Sequence, residues 1–393
     1  MRPRRAAIIC ILLSLGGLGI SAYLEYLHIA LLRGELVGGA ACGALGSMFN
    51  CHAVTASRFG TVLGMPLALW GILGYLTTLG LSLIAAQFPE WTARALSAIV
   101  VLALAFVVVD AVLLVTMLTK IGYLCILCLS TYVVNLGLLL AAKLASPTWP
   151  SLSALGAWLP QPRSPVVWGF WAMLLTGIAG IVGANAAVMY VIKGPPGSMQ
   201  KDLARFIQQK PPVVVATTGD PRLGPPDAPF QIVEFSDFLC PSCQRAWQFN
   251  PIILAGHRRD VSLVFKNFPL DQECNISIQR TLHPGACRVA AAGECAHDQG
   301  KFWEFQDLVF KDGPSYKASN LEGDAARLGL NMDAFRACLA NGQGMERVKQ
   351  DIAEATRLSV NRTPTYIVNG VVVEGLLSPV MFDEFLDTLR EKP

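Results

Sequence analysis

Five runs of almost unbroken apolar residues fill the first half of the chain, at about 6 to 30, 62 to 86, 95 to 118, 121 to 143 and 167 to 192, and a mixed pattern follows Lys193. A helix needs about 20 apolar residues to cross a bilayer, so each run predicts a crossing. The first run follows Met1-Arg-Pro-Arg-Arg and looks at first like a signal peptide. It exceeds the usual signal core, shows no small-residue cleavage site and is followed by more spans, so it reads as a retained helix with its basic end in the cytoplasm. Five crossings then put everything after Lys193 outside. The charge bias adds little beyond the three N-terminal arginines: Arg94, Lys143 and Arg163 fall inside, whereas Arg33, Arg58, Lys120 and Lys193 fall outside. The stretch from Ser146 to Pro165, rich in Pro, Ser and Trp, reads as an inside loop along the membrane surface.

Past the last run, Gly194-Pro-Pro-Gly197 breaks the helix, and the period changes. Met199 to Lys210 predicts a short amphipathic helix and Val213 to Thr217 an edge strand. A strand at 231 to 236, a helix opening at Cys240, a strand at 261 to 265 and a helical insertion over 275 to 358 follow, then a hairpin at 366 to 374 and a last helix from Pro379 to Arg390.

Composition agrees with this division. Only 15% of the 393 residues are charged against 53% hydrophobic, too apolar for an ordinary water-soluble protein. The net charge of +3 is small, and no Lys/Arg cluster stands among aromatics, which argues against nucleic acid as a partner. The eleven cysteines fall mostly in segments that face outward, which suits an oxidising compartment.

The chemistry is in those cysteines. Cys240-Pro-Ser-Cys243 follows a strand and opens a helix, so Cys240 sits where unpaired amides and the helix dipole favour thiolate over thiol. Cys243 is placed to close the disulfide. Half of a zinc site is the rival, but no second ligand pair of matching spacing follows. Cys42 and Cys51 lie in the loop after the first span, and Cys125 and Cys128 start the fourth span at the same outer side. Three dithiols on one side can pass electrons by thiol–disulfide exchange, and a lipid-soluble quinone is the economical sink. Cys125 and Cys128 as inert small hydrophobes is the bland alternative. Cys10 lacks a partner and reads as structural. Asp110, an acid inside the third span, either takes a proton during quinone reduction or pairs with a polar group. Glu25 and His28 read as snorkelling to the interface.

Residues 1 to about 145 resemble the vitamin K epoxide reductase family, a four-helix bundle that reduces quinones. The loop cysteine pair, Ser57-Arg58-Phe59-Gly60, Cys125-Ile-Leu-Cys128 and Leu129-Ser-Thr-Tyr132 carry the likeness. It implies that Cys128 attacks the quinone, Cys125 resolves it, Cys51 exchanges with Cys125, and Cys42 accepts from the C-terminal domain. It further implies that Ser57 and Phe59 cap the quinone pocket and that Tyr132 bonds a quinone oxygen. Against these stand plainer roles, Tyr132 at the wet interface and Ser57 turning the half-helix. The second span, Met65 to Tyr75, offers no Asn for the other quinone oxygen, which speaks against epoxide reduction and leaves quinone reduction. The fifth span resembles the tether of bacterial fusions with a thioredoxin-like domain.

Residues 225 to 391 resemble the DsbA-like branch of the thioredoxin superfamily. Pro225-Pro-Asp-Ala-Pro-Phe, Phe265-Lys-Asn-Phe-Pro-Leu270, Gln299-Gly-Lys-Phe-Trp-Glu-Phe and Thr363-Pro-Thr-Tyr carry it. Pro364 would then be the cis-proline that packs on the dithiol, and Glu234 the buried acid that shuttles a proton to or from Cys243; a solvated strand-end acid is the alternative. Pro-Ser between the cysteines, without an imidazole, implies a milder oxidant than Pro-His members. Cys274 is expected to pair with Cys287 and Cys295 with Cys338, although four cysteines allow three pairings. A metal at His283 and His297 with these thiols fits no zinc spacing.

The expected architecture is an all-α membrane bundle at 1–145, a loop, fifth helix and linker at 146–198, and an α/β thioredoxin-like domain with a helical insertion at 199–393. The expected function is disulfide generation in exported proteins at a bacterial cytoplasmic membrane, with ubiquinone or menaquinone as acceptor, reduced or unfolded exported proteins as partners, and no metal. A quinol-driven reductase or isomerase reverses the same current. A redox sensor or tethered holdase is the alternative of another class.

Overall fold

A computed structural model of the chain describes residues 2–37, 42, 48–146, 164–195 and 197–391, which divide into two compact units, Met1–Met199 and Gln200–Pro393. The expected surface loop therefore lies, from 147 to 163, outside the described residues.

The first unit is built from α1 (Pro3–Leu32), a short α2 (Cys51–Ala56), α3 (Leu67–Gln87), α4 (Thr92–Thr116), α5 (Ile126–Ala145) and α6 (Pro165–Lys193). All but α2 belong to segments long and apolar enough to cross a membrane. Their outward faces are apolar too: Leu12, Val112, Val133 and Leu144 are 61–72% exposed, a surface that suits lipid and not water. Small buried residues, among them Ala6, Ala98, Ala103 and Ala142, let the helix backbones approach. Ser14 and Thr78 share a buried hydrogen bond of 2.9 Å between α1 and α3.

Two helices start later than the apolar pattern predicts. Thr61–Val62 (β1) and Met65–Pro66 (β2) form a small hairpin whose turn, Leu63-Gly64, has φ of 53° and 75°, so α3 begins only at Leu67. Likewise α4 runs on through a π-turn at Met117–Ile121 until Gly122, at φ 77°, stops it, and α5 begins at Ile126 with Cys125 as its N-cap.

Helix α7 (Ser198–Gln209) leads into the second unit, which contains a five-stranded sheet in the order β3-β5-β4-β6-β7. Its strands are β3 (Arg222–Leu223), β4 (Phe230–Ser236), β5 (Val261–Asn267), β6 (Thr365–Val368) and β7 (Val371–Glu374). Only the β4–β5 pair is parallel, and α8 (Pro241–Gly256) makes the crossover. The insertion is helical: α9 (Ala286–His297), α10 (Phe302–Asp312), α11 (Leu321–Arg327), α12 (Met332–Ala340) and α13 (Gln343–Arg357); α14 (Pro379–Arg390) closes the unit.

The expected edge strand at Val213–Thr217 is not a strand. Pro211 and Pro212 lack N–H groups to start a ladder. Val213 N–H reaches the Gly370 carbonyl at 2.8 Å, whereas Ala216 N–H goes to the Glu354 carboxylate at 2.9 Å. The edges of the sheet are β3 and β7.

Phe238 centres the core, its ring 5.3–6.0 Å from those of Phe265, Phe302, Phe305 and Phe310. Two disulfides staple the insertion, Cys274–Cys287 and Cys295–Cys338, the second joining α9 to α12. Lys266 is buried with Asp220 and Asp351 at 2.9 Å and Glu354 at 3.2 Å, so its charge is paired rather than stranded.

Candidate functional site

In the second unit, β4 delivers the chain to a turn at Asp237 and then to α8, with Cys240 as the helix N-cap and Pro241 in the first turn. Pro there suits a helix start, because its missing N–H has no partner to lose. Asp237 organises the turn. Its N–H points at the Cys243 sulfur (3.4 Å) and its carbonyl accepts from the Cys240 N–H (3.1 Å). Its buried carboxylate accepts from Leu239 N–H and Leu270 N–H, both 2.8 Å, and meets His283 Nδ1 at 2.7 Å. Pairing of Phe235 with Thr365 across β4 and β6 brings in the Thr363–Pro364 peptide, which is cis, and the Cys240 sulfur lies 3.7 Å from the Thr363 carbonyl.

Cys240 and Cys243 are both free thiols, and their surroundings push them apart. A hydrogen bond from the Cys243 thiol, with help from Thr363 and the helix-start amides, brings Cys240 down to about 6 against the cost of its burial. Burial and the neighbouring Cys240 push Cys243 well above the ordinary thiol range. Near neutral pH the pair therefore holds one nucleophilic thiolate and one thiol in reserve. Glu234 is only 1% exposed, so it is not a solvated strand end. Burial raises it to about 7, partly offset by the hydrogen bond from Asn250 (2.8 Å).

Among the described residues no group of three or more His, Cys, Asp or Glu is arranged to hold a metal. His283 sits in the strap closed by Cys274–Cys287, and its bond to Asp237 raises its proton affinity, as does the nearby Cys240. The strap thus supplies an imidazole that Pro241-Ser242 lacks. His283→Ala is expected to raise the Cys240 pKa above about 6, since a cation is lost and the Asp237 carboxylate is left without it. Ultraviolet titration of the thiolate measures this, and an unmoved midpoint would remove His283 from the dithiol's electrostatics.

In the first unit, Cys42 is joined to Cys51 and Cys125 to Cys128. Asn50 starts α2 by accepting from Ala53 N–H at 2.9 Å, which fixes Cys51 at the helix start. Asn50 N–H also donates to the Leu124 carbonyl (2.9 Å) and Leu124 N–H to the Met48 carbonyl (2.8 Å), a parallel bridge between Phe49 and Leu124. Cys51 follows that bridge by two residues and Cys125 by one. The two disulfides are thereby held beside one another at one end of the bundle.

Cys128 lines a cavity of about 430 Å³, within the range of small-molecule pockets. Phe59, Asp110 and Tyr132 line it too, among apolar side chains such as Leu24, Val54, Phe106 and Leu113. Ser57 does not: its buried hydroxyl donates to the Val54 carbonyl at 2.8 Å and closes the short α2, which is the turning role. Asp110 has a partner that the sequence left unidentified. Asn135 Nδ2 donates to its Oδ2 at 2.9 Å, and the Tyr75 hydroxyl donates to Asn135 Oδ1 at 2.8 Å. Asn135 stands seven residues after Cys128 and three after Tyr132 on α5, a spacing that keeps them on one helix face and was the available signal. An Asn therefore lines the cavity, from α5 and not from the second span.

Fold, dithiols and apolar helices together define a membrane-type thiol–disulfide redox protein. More narrowly, residues 8–142 match the model of the vitamin K epoxide reductase family and residues 216–388 match a thioredoxin family model, so the chain joins two such domains. Among curated proteins it is similar to Na(+)/H(+) antiporter NhaA 1 of Salinispora arenicola, 37% identical over 149 residues, 37% of this chain and 21% of that protein. It is also similar to Na(+)/H(+) antiporter NhaA of Herminiimonas arsenicoxydans, 32% identical over 168 residues, 42% of this chain and 25% of that protein. The chain thus spans about a fifth to a quarter of the length of these curated relatives. Similar solved structures include a thioredoxin-like oxidoreductase from Silicibacter pomeroyi DSS-3, at 24% identity and TM-score 0.38, covering 48% of this chain and 98% of that one. BdbD from Bacillus subtilis, at 24% identity and TM-score 0.37, covers 45% of this chain and 94% of that one.

Proposed function

We propose that the protein oxidises thiols of exported proteins and delivers the electrons to a membrane quinone. The observation that carries this reading is Cys128 in the wall of an apolar cavity, with its partner Cys125 pinned beside Cys51. Substrate thiols attack the Cys240–Cys243 disulfide. The reduced pair then attacks Cys42–Cys51, and Cys51 passes the electrons to Cys125–Cys128. In each exchange one thiolate attacks, a mixed disulfide forms, and the second thiol of the attacking pair resolves it, so two electrons move per disulfide. The low Cys240 pKa favours this direction, because a stabilised thiolate stabilises the reduced dithiol and makes its disulfide the stronger oxidant. Glu234 is the candidate to take and return the Cys243 proton, and cis-Pro364 covers the dithiol.

The cavity residues fit a quinone: an apolar volume for the ring, hydroxyl and carboxyl groups for its oxygens, and a reactive sulfur in the wall. When bound, a quinone supplies a sink for two electrons and two protons. Tyr132, Asp110 and Phe59 would orient it. The protein is assigned to a bacterial cytoplasmic membrane, with its N-terminus inside and its dithiols outside.

The full chain in lipid, given a reduced unfolded protein and ubiquinone or menaquinone, is expected to form one quinol per substrate disulfide. In a Cys51→Ala, Cys243→Ala double variant, mass spectrometry should find Cys42 joined to Cys240. Electrons running from added quinol into substrate disulfides, with Cys240 mainly reduced in cells, would reverse the assignment.

A further inference from the structure

We propose that Asp110 is the proton carrier of the membrane cavity, oriented by an Asn135–Tyr75 hydrogen-bond chain, a role that rests on the quinone reading and adds to it.

The chain of bonds has one direction. The Tyr75 hydroxyl can only donate to Asn135 Oδ1, a carbonyl oxygen, and this turns the amide so that Nδ2 donates to Asp110 Oδ2. Asp110 Oδ2 is thereby occupied, and Oδ1 is left as the atom to hold a proton. Tyr75 is seated by Gly17 of α1, where any side chain would collide with the Tyr75 ring. Three helices besides α4 therefore serve one carboxyl group on α4. A carboxylate alone in an apolar cavity is far more costly than the neutral acid, and no Lys or Arg is among the described residues that line this one. The other titratable groups in the lining are His28 on α1, Tyr75 on α3, and Cys128 and Tyr132 on α5. Phenols hold their protons to about pH 10 even in water, so neither tyrosine can cycle a proton near neutrality.

Oxidation of the Cys125 and Cys128 thiols breaks two S–H bonds, forms one S–S bond and sends two electrons to the quinone, whose two carbonyl oxygens each gain a proton. The thiol protons and the quinol protons balance. Asp110 gives its Oδ1 proton to one acceptor oxygen and regains one from those the thiols release. Asn135 and Tyr75 touch neither sulfur and are positioning residues.

The test uses the full chain in lipid with Asp110→Asn, which can still accept the Asn135 bond, and Asp110→Glu. Without any quinone, infrared difference spectra should show a protonated carboxylic acid band that shifts in D2O and is absent in Asp110→Asn. Transfer from Cys51 to Cys125, followed by trapping of thiols, should stay within about twofold of wild type, as expected if the carboxyl acts after thiol exchange. Quinol formation should fall roughly a hundredfold in Asp110→Asn and recover to within about tenfold in Asp110→Glu. An Asp110→Asn protein with the acid band still present, or with wild-type quinol formation, overturns the proposal. Wild-type protein that forms no quinol overturns the acceptor reading instead, and the acid band then decides on Asp110 separately.

Discussion

Replacing Cys128 with alanine is expected to stop quinol formation altogether, a fall of roughly three orders of magnitude or more to background, while the bundle stays folded. Cys128 is the cysteine of its pair that lines the cavity, whereas Cys125 is fully buried as the cap of α5. No other described cysteine lines that cavity, and the thioether of Met117, which does, cannot exchange disulfides. The Cys125–Cys128 bond closes so short a loop that its loss costs on the order of 2 kcal/mol, small beside the packing of four helices. With Cys128 gone, Cys125 keeps its thiol beside the Cys42–Cys51 disulfide, attacks Cys51 and cannot be resolved. A Cys51–Cys125 mixed disulfide should therefore accumulate, and peptide mapping under acid quench would detect it. Quinol formation at the wild-type rate in this variant would refute the electron path.

Much of this site was legible because cysteine chemistry is local. Cys240-Pro-Ser-Cys243 after a strand, and Cys125-Ile-Leu-Cys128 at a helix start, state their geometry within a few residues. The spans were legible for the same reason, a continuous apolar run being a local property. Their starts were less so, since Leu63-Gly64 and Gly122 adopt left-handed backbone that the apolar count ignores. What hydrophobicity could not reveal is which polar group meets which across helices. Asn135 on its own helix is one amide among aliphatic residues, and only packing shows that it joins Tyr75 to Asp110. His283 was hidden differently. It lies 43 residues beyond Cys240 in sequence, and the strap fold together with Asp237 carries it back to the dithiol turn. Ser57 illustrates the converse, where a motif position expected in the pocket turns out to close a helix.

Glu234→Gln is expected to make the second unit more stable at pH 8 and slower as a catalyst, and both effects follow from one displaced proton. Glu234 titrates near 4.5 when unfolded and near 7 in place. Below pH 4.5 both states are protonated and the carboxyl adds no pH dependence. Between 4.5 and about 7 the folded state holds a proton that the unfolded state has lost, so stability falls as pH rises, and above about 7 the deficit is complete. The shift corresponds to roughly 3 kcal/mol, an upper bound for what glutamine can recover while still accepting the Asn250 bond. Cys240 works with the opposite sign: its lowered pKa adds stability to the reduced form that is fully present above pH 9 and lost as pH falls through about 6. The comparison therefore belongs in the oxidised protein, where no thiol of that pair titrates. Urea midpoints for protease resistance of the full chain should agree between wild type and variant at pH 4 and separate at pH 8. Because Cys243 is buried with its proton held tightly, loss of the nearby base should also slow its resolving attack roughly a hundredfold. Identical midpoints at both pH values would show that Glu234 is ionised without cost in the fold, and the proton-shuttle role would fall with it.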